Sequence, residues 1–189
     1  MAPLFARIRW LSASIDCDRH SLEDTWAFWA AATASTPSEP WGDDGEHRSL
    51  LPEMGDSHAH VQGNSRPGEA GGVHLHVHVD DLDAAGAGIE EAGGEVTDTS
   101  DSRLAAVTPS GFTLCLVPGD ASTSRRRAPP VSIPGAGDLL LDQVCIDVPH
   151  DRFDAEQQFW RAFTGFEVNW YDVHPYARSC AIPRVESFA

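Results

Sequence analysis

Apolar and polar residues alternate near the start of the chain. Leu11, Ala13 and Ile15 interleave with Trp10, Ser12 and Ser14, which predicts a strand. The period then changes: Leu22, Trp26, Trp29 and Thr33 recur at helical spacing, behind Ser21 and Asp24 in capping-box positions. A second alternation, "VHLHVHV" at 73–79, puts His74, His76 and His78 on one face of a strand and Val73, Leu75, Val77 and Val79 under helices on the other. Asp80 or Asp81 can cap the next helix, whose buried stripe is Leu82, Ala85, Ile89 and Ala92, and Gly93-Gly94 ends it. Short strands are expected at 95–98, 103–108 and 111–117, with "PSG" (109–111) as the last turn.

The pattern repeats. Ile15-Asp16 returns as Ile146-Asp147 and Phe28-Trp29 as Phe159-Trp160, both at an offset of 131 residues. Phe153, Trp160 and Phe163 take the core role of the first helix's aromatics, and "RSLLP" (48–52) is echoed by "RSCAIP" (178–183). The chain therefore reads as β-α-βββ, β-α-βββ, linker, β-α-β(β), an α+β organisation. Residues 1–118 form a complete domain of two modules, 5–66 and 71–118. A linker rich in Pro, Gly, Ser and Arg (119–137) leads to a truncated copy of the first module in a partial second domain, 138–189. Half a domain leaves a sheet edge and an apolar face uncovered. Pairing with a second copy to give a homodimer, packing within the chain and a poorly ordered tail are the three outcomes open to it.

Composition narrows the function classes. The 189 residues carry a net charge of −16, which argues against nucleic acid and anionic membrane as partners. The one basic run, Arg125-Arg126-Arg127, falls in the linker. No apolar stretch reaches membrane-spanning length, and a cytoplasmic protein is expected. The four cysteines show no CxxC spacing, so a disulfide framework is not expected. There is no GxSxG, Walker-type loop or dinucleotide fingerprint after a strand.

Three stretches carry a family resemblance: "IDC…LEDTWAFWAAA", "HLHVHVDDLDAAGAGIEEAGGEV" and "VTPSGFTLCLV". In this order they resemble the glyoxalase-like domains of the vicinal oxygen chelate superfamily. The resemblance implies two modules folded into a cupped, half-open barrel, with metal ligands on the first and fourth strands of each module. The matching positions are Ser12, Gln62, His74 and Cys115. Only His74 is the family's ligand type outright; Gln62 can offer an oxygen, and Cys115 stands where the family has Glu. A divalent metal (zinc, iron, manganese or nickel), with His74 and Gln62 as its ligands, is the cofactor implied.

Strand parity adds to that set. If His74 faces the cup, so do His76 and His78, and on the fourth strand His58 and His60 share parity with Gln62. The expected pocket is lined by Trp10, Ser12, Ser14, His60, Gln62, His74, His76 and Cys115. Asp16 and Asp147, at strand ends before helices, read as turn or cap residues. Three functions follow: a small-molecule binding protein with a degenerate metal site, a metal-dependent lyase, isomerase or dioxygenase, and a non-catalytic interaction module.

Overall fold

A computed structural model describes residues 6–64, 71–120, 125–141 and 144–165, together with the strand backbones of 169–174 and 177–181. The first module runs β1 (Ile8–Asp18), α1 (Leu22–Ala32), β2 (Thr36–Pro37), β3 (His47–Leu51) and β4 (Ala59–Asn64). The second runs β5 (Gly72–Val79), α2 (Leu82–Glu91), β6 (Glu95–Ser100), β7 (Arg103–Val107) and β8 (Thr113–Pro118). The eight strands hydrogen-bond in the order β2-β3-β4-β1-β5-β8-β7-β6, so β2 and β6 are the open edges of a mixed sheet. β1 and β4 run parallel, as a helical crossover between neighbouring strands demands, whereas β3 and β4 are antiparallel.

The chain divides into two compact units. One comprises Ser12–Leu75 with Ser124–Asp142, and the other Met1–Leu11, His76–Thr123 and Gln143–Ala189. In the first, α1 covers one face of β1, β3 and β4. Leu22 packs with Cys17 and Val61, and Ala30 with Leu50 and Ala59, while Trp26 and Trp29 are partly buried against both clusters. Arg48 projects to this same face, pairing with Glu23 at 2.6 Å and lying 5.7 Å over the Trp26 ring. The helix start differs from the sequence expectation. Ser21 makes no side-chain cap; Asp18 accepts from the His20 N–H instead and caps a short 3-10 turn that leads into α1.

In the second unit, Asp81 caps α2 by accepting from the Ala84 N–H, and Ala85 and Ile89 are fully buried. Asp80 has a different task, accepting from Arg9 and from the Arg7 N–H. Leu75, Val77 and Val79 are buried as their alternation predicts, but Val73 at the strand start is 41% exposed. Helix α3 (Phe153–Thr164) belongs to this unit. Its Glu156, 3% exposed, accepts from the Ser110 N–H at 2.9 Å and from Trp160 Nε1 at 2.8 Å. Arg152 donates to the Pro109 carbonyl, and Phe159 lies against Gly94. The helix of the expected third module is thus packed within the chain, on the β7–β8 turn and the end of α2.

Two features of the tail depart from the repeat. Residues 144–149 have no regular secondary structure where its opening strand was expected. Part of the expected linker forms a hairpin, β9 (Val131–Ile133) with β10 (Gly137–Leu139). Beyond α3, β11 (Asn169–His174) and β12 (Ala177–Ala181) pair antiparallel. No helix among the described residues is long and apolar enough to cross a membrane.

Candidate functional site

The face of the first unit opposite α1 is polar. Register aligns His47 on β3 with Gln62 on β4, and Gln62 with Asp16 on β1. On the next strand, β5, His74 donates from Nδ1 to Asp16 Oδ2 at 2.8 Å. His47, Gln62, Asp16 and His74 therefore form one row across four strands, about 14 Å long at the usual strand spacing. A second row beside it aligns Ser49, His60 and Ser14. Ser14 Oγ donates across the rows to Gln62 Oε1 at 3.4 Å, and Gln62 Nε2 donates to Asn64.

The first row is enclosed. Asp16 and His74 side chains are 14% and 15% exposed, and Ser14 in the neighbouring row is fully buried. Asp16 Oδ1 and His47 Nδ1 are buried with no hydrogen-bond partner. Trp41 stacks on His47 with centroids 4.1 Å apart and planes 14° off parallel, and a reciprocal pair of backbone hydrogen bonds fixes the two residues together. Trp41 also approaches His60 at 5.4 Å and remains 40% exposed, so one aromatic edge of the site is open to solvent. Burial pushes the His47 imidazole below its ordinary value; Glu46 and Asp16 oppose the shift and His74 adds to it. The Glu46 carboxyl sits low: burial alone would raise it, but the backbone N–H groups of Glu46 and Asp44 and the His47 and Arg19 charges outweigh that.

Of the residues singled out from sequence, Ser12, Ser14, His60, Gln62 and His74 lie in this unit, whereas Trp10, His76 and Cys115 lie in the other. Asp16 is inside β1 and bonded to His74, and Asp18 does the capping expected of Asp16. Strand parity with Ser12 and Ser14 would have found it. His47, Glu46 and Trp41 were missed altogether, because nothing periodic marks the segment that holds them. His58 precedes β4 and is half-buried, whereas His60 is 5% exposed.

The implied metal can be tested against these residues. Asp16 holding His74 by Nδ1 is the way a carboxylate orients a ligating imidazole. The other carried-over positions do not complete a centre. Ser12 and Gln62 are neutral, and burial pushes the Cys115 thiol up despite Arg103, which keeps it a thiol. The nearest carboxylate, Asp16, is committed to His74 through one oxygen. Among the described residues no three His, Cys, Asp or Glu side chains group as metal ligands. A hard divalent ion prefers carboxylate oxygen and imidazole, and the donor set at these positions does not fit one.

Parallel β1–β4 pairing, two βαβββ modules and the strand order above define the class: a tandem-module α+β sheet of the vicinal oxygen chelate type. A family model described as glyoxalase-like domain matches residues 13–117, and the chain belongs to that family. Comparison with curated proteins gives no match. Among solved structures it is similar to a catechol 2,3-dioxygenase, with TM-score 0.55, 16% identity, 92% of this chain and 61% of that one covered. It is similar to the Mn(II)-bound glyoxalase from Novosphingobium aromaticivorans, with TM-score 0.53, 14% identity and coverage of 87% and 54%. A third is 2,2',3-trihydroxybiphenyl 1,2-dioxygenase from Sphingomonas wittichii strain RW1, with TM-score 0.52, 14% identity and coverage of 87% and 58%. The chain spans about three-fifths of their length or less, and the likeness is one of fold.

Proposed function

We propose that the chain binds a small, oxygen-bearing aromatic molecule, without a metal ion, along the row His47–Gln62–Asp16–His74. The observation that carries this reading is Trp41, stacked on His47 and 40% exposed, at the edge of a row whose Asp16 and His74 side chains are still 14% and 15% exposed. A ligand hydroxyl would meet the row at the exposed part of the Asp16–His74 pair. Trp41, stacked on His47 and partly exposed, offers a ring a face to lie on. The superfamily hosts binding and catalysis alike, so fold decides neither.

The Asp16–His74 pair favours a second reading, proton transfer. A carboxylate bonded to one ring nitrogen orients the imidazole and stabilises it when the other nitrogen takes a proton. That chemistry needs only residues of this chain.

The experiment is metal analysis of untagged protein and of His74→Ala, alongside thermal-shift screening of an aromatic library in EDTA. Shifts that survive EDTA and vanish in His74→Ala support metal-free binding. Stoichiometric zinc, iron, manganese or nickel that is lost in His74→Ala, with ligand response only in the metal-loaded protein, overturns it.

A further inference from the structure

Glu46 lies outside the His47–His74 row but holds one end of it. Residues 41–47 form a closed turn between two backbone-paired ends, Trp41 and His47. Within it, Glu46 Oε2 accepts the Asp44 N–H at 2.9 Å, and Glu46 Oε1 lies 3.4 Å from His47 Nε2. The carboxylate needs glycine at position 42 to sit there. At Gly42, with φ +95°, a side-chain carbon would stand 2.5 Å from Glu46 Cδ and from both carboxylate oxygens. The turn is also tied down from outside. Gly63 donates its N–H to the Glu46 carbonyl at 2.8 Å, and the Arg19 guanidinium donates to the Asp44 carbonyl.

This arrangement decides where His47 carries its ring proton. A neutral imidazole has one N–H and one lone pair. With the proton on Nδ1, a donor would be buried without an acceptor, and the Nε2 lone pair would face a carboxylate oxygen. With the proton on Nε2, the carboxylate meets an N–H and only a lone pair is left unmatched. The second tautomer wins on both counts. Asp16 on β1 and His74 on β5 act on the ring through space, and the His60 ring on β4 lies 5.6 Å away, edge-on.

We propose that Glu46 is the positioning residue of the site: its carboxylate fixes the His47 proton on Nε2 and keeps the imidazole stacked on Trp41. The exposed part of Trp41 is then in place before a ligand arrives. The role rests on the row being the binding site, but the tautomer itself is read without a ligand.

Long-range ¹H–¹⁵N spectra of the ligand-free chain in EDTA, above neutral pH, should show His47 as the Nε2–H tautomer. Its ring protons should be moved upfield by the Trp41 ring. Glu46→Gln keeps the length of the side chain and removes its charge. The pH midpoint of His47 should fall in that variant, because a nearby carboxylate favours the imidazolium. Glu46→Ala leaves the ring untethered; it should shrink the upfield shift and weaken catechol binding in EDTA about threefold, the worth of part of one aromatic contact. An Nδ1–H tautomer in the parent chain overturns the proposal whether or not a variant folds. An unchanged midpoint in Glu46→Gln, or an unchanged upfield shift in Glu46→Ala, overturns it too. If the parent chain does not bind catechol, the proposed function falls, while tautomer, midpoint and ring shift still decide this proposal.

Discussion

Asp16 should be nearly dispensable for stability, unlike a carboxylate that holds a fold together. Its Oδ2 takes a charge-assisted hydrogen bond from His74, while Oδ1 is buried with no partner. Truncation to alanine loses about 1.5–3 kcal/mol for a hydrogen bond to a charged group. It also relieves a buried unsatisfied carboxylate oxygen, which costs the folded state about 1–3 kcal/mol. The two nearly cancel, and Asp16→Ala should lie within about 1.5 kcal/mol of the parent chain by urea denaturation, with an unchanged m-value. Such a balance is what a polar group held ready for a ligand leaves behind: it adds little to folding and its worth lies in binding. A loss above about 3 kcal/mol would refute the reasoning, because it would make Asp16 a structural anchor of β1 and β5.

Three other outcomes are expected. Glu156→Ala removes the acceptor of two hydrogen bonds at a residue 3% exposed and should destabilise by about 2–4 kcal/mol, read as a lower urea midpoint. Gly94→Ala places a carbon 2.8 Å from Phe159 Cε2 and 2.9 Å from the Val107 carbonyl oxygen; the cost of about 1–3 kcal/mol should appear in the same assay. His47 binds its proton less readily in the folded chain than at its ordinary value of 6.5. Its contribution is therefore present above that value and lost as pH falls below it, so stability should rise as pH climbs towards that value from the acid side, with a shallower rise in His47→Asn.

Much of the fold was legible from period alone. Strand β5, helix α2 and its Asp81 cap, and the β7–β8 turn fall where alternation, helical spacing and turn residues put them. The capping box at Ser21 failed because a 3-10 turn capped by Asp18 takes up the chain first. The third strand–helix unit was over-read from its repeat: the helical half of the echo, Phe159-Trp160, is a core stripe, but 144–149 forms no strand. The β9–β10 hairpin was hidden by a Pro- and Gly-rich composition that reads equally as linker. At the candidate site, His74 and Gln62 came from the family resemblance, and His60 and Ser14 were then legible by strand parity with them. His47 and Trp41 were not, because register with Gln62 and a reciprocal pair of backbone hydrogen bonds place them, and neither leaves a local pattern.

The most direct measurement is a catechol titration in EDTA, followed through the histidine side-chain resonances of the parent chain and of Asp16→Ala. Saturable shifts at His74 and His47, weakened at least tenfold in Asp16→Ala, are the expected result. Shifts that bypass both residues, or that arise only after a divalent metal is added, would contradict metal-free binding on this row.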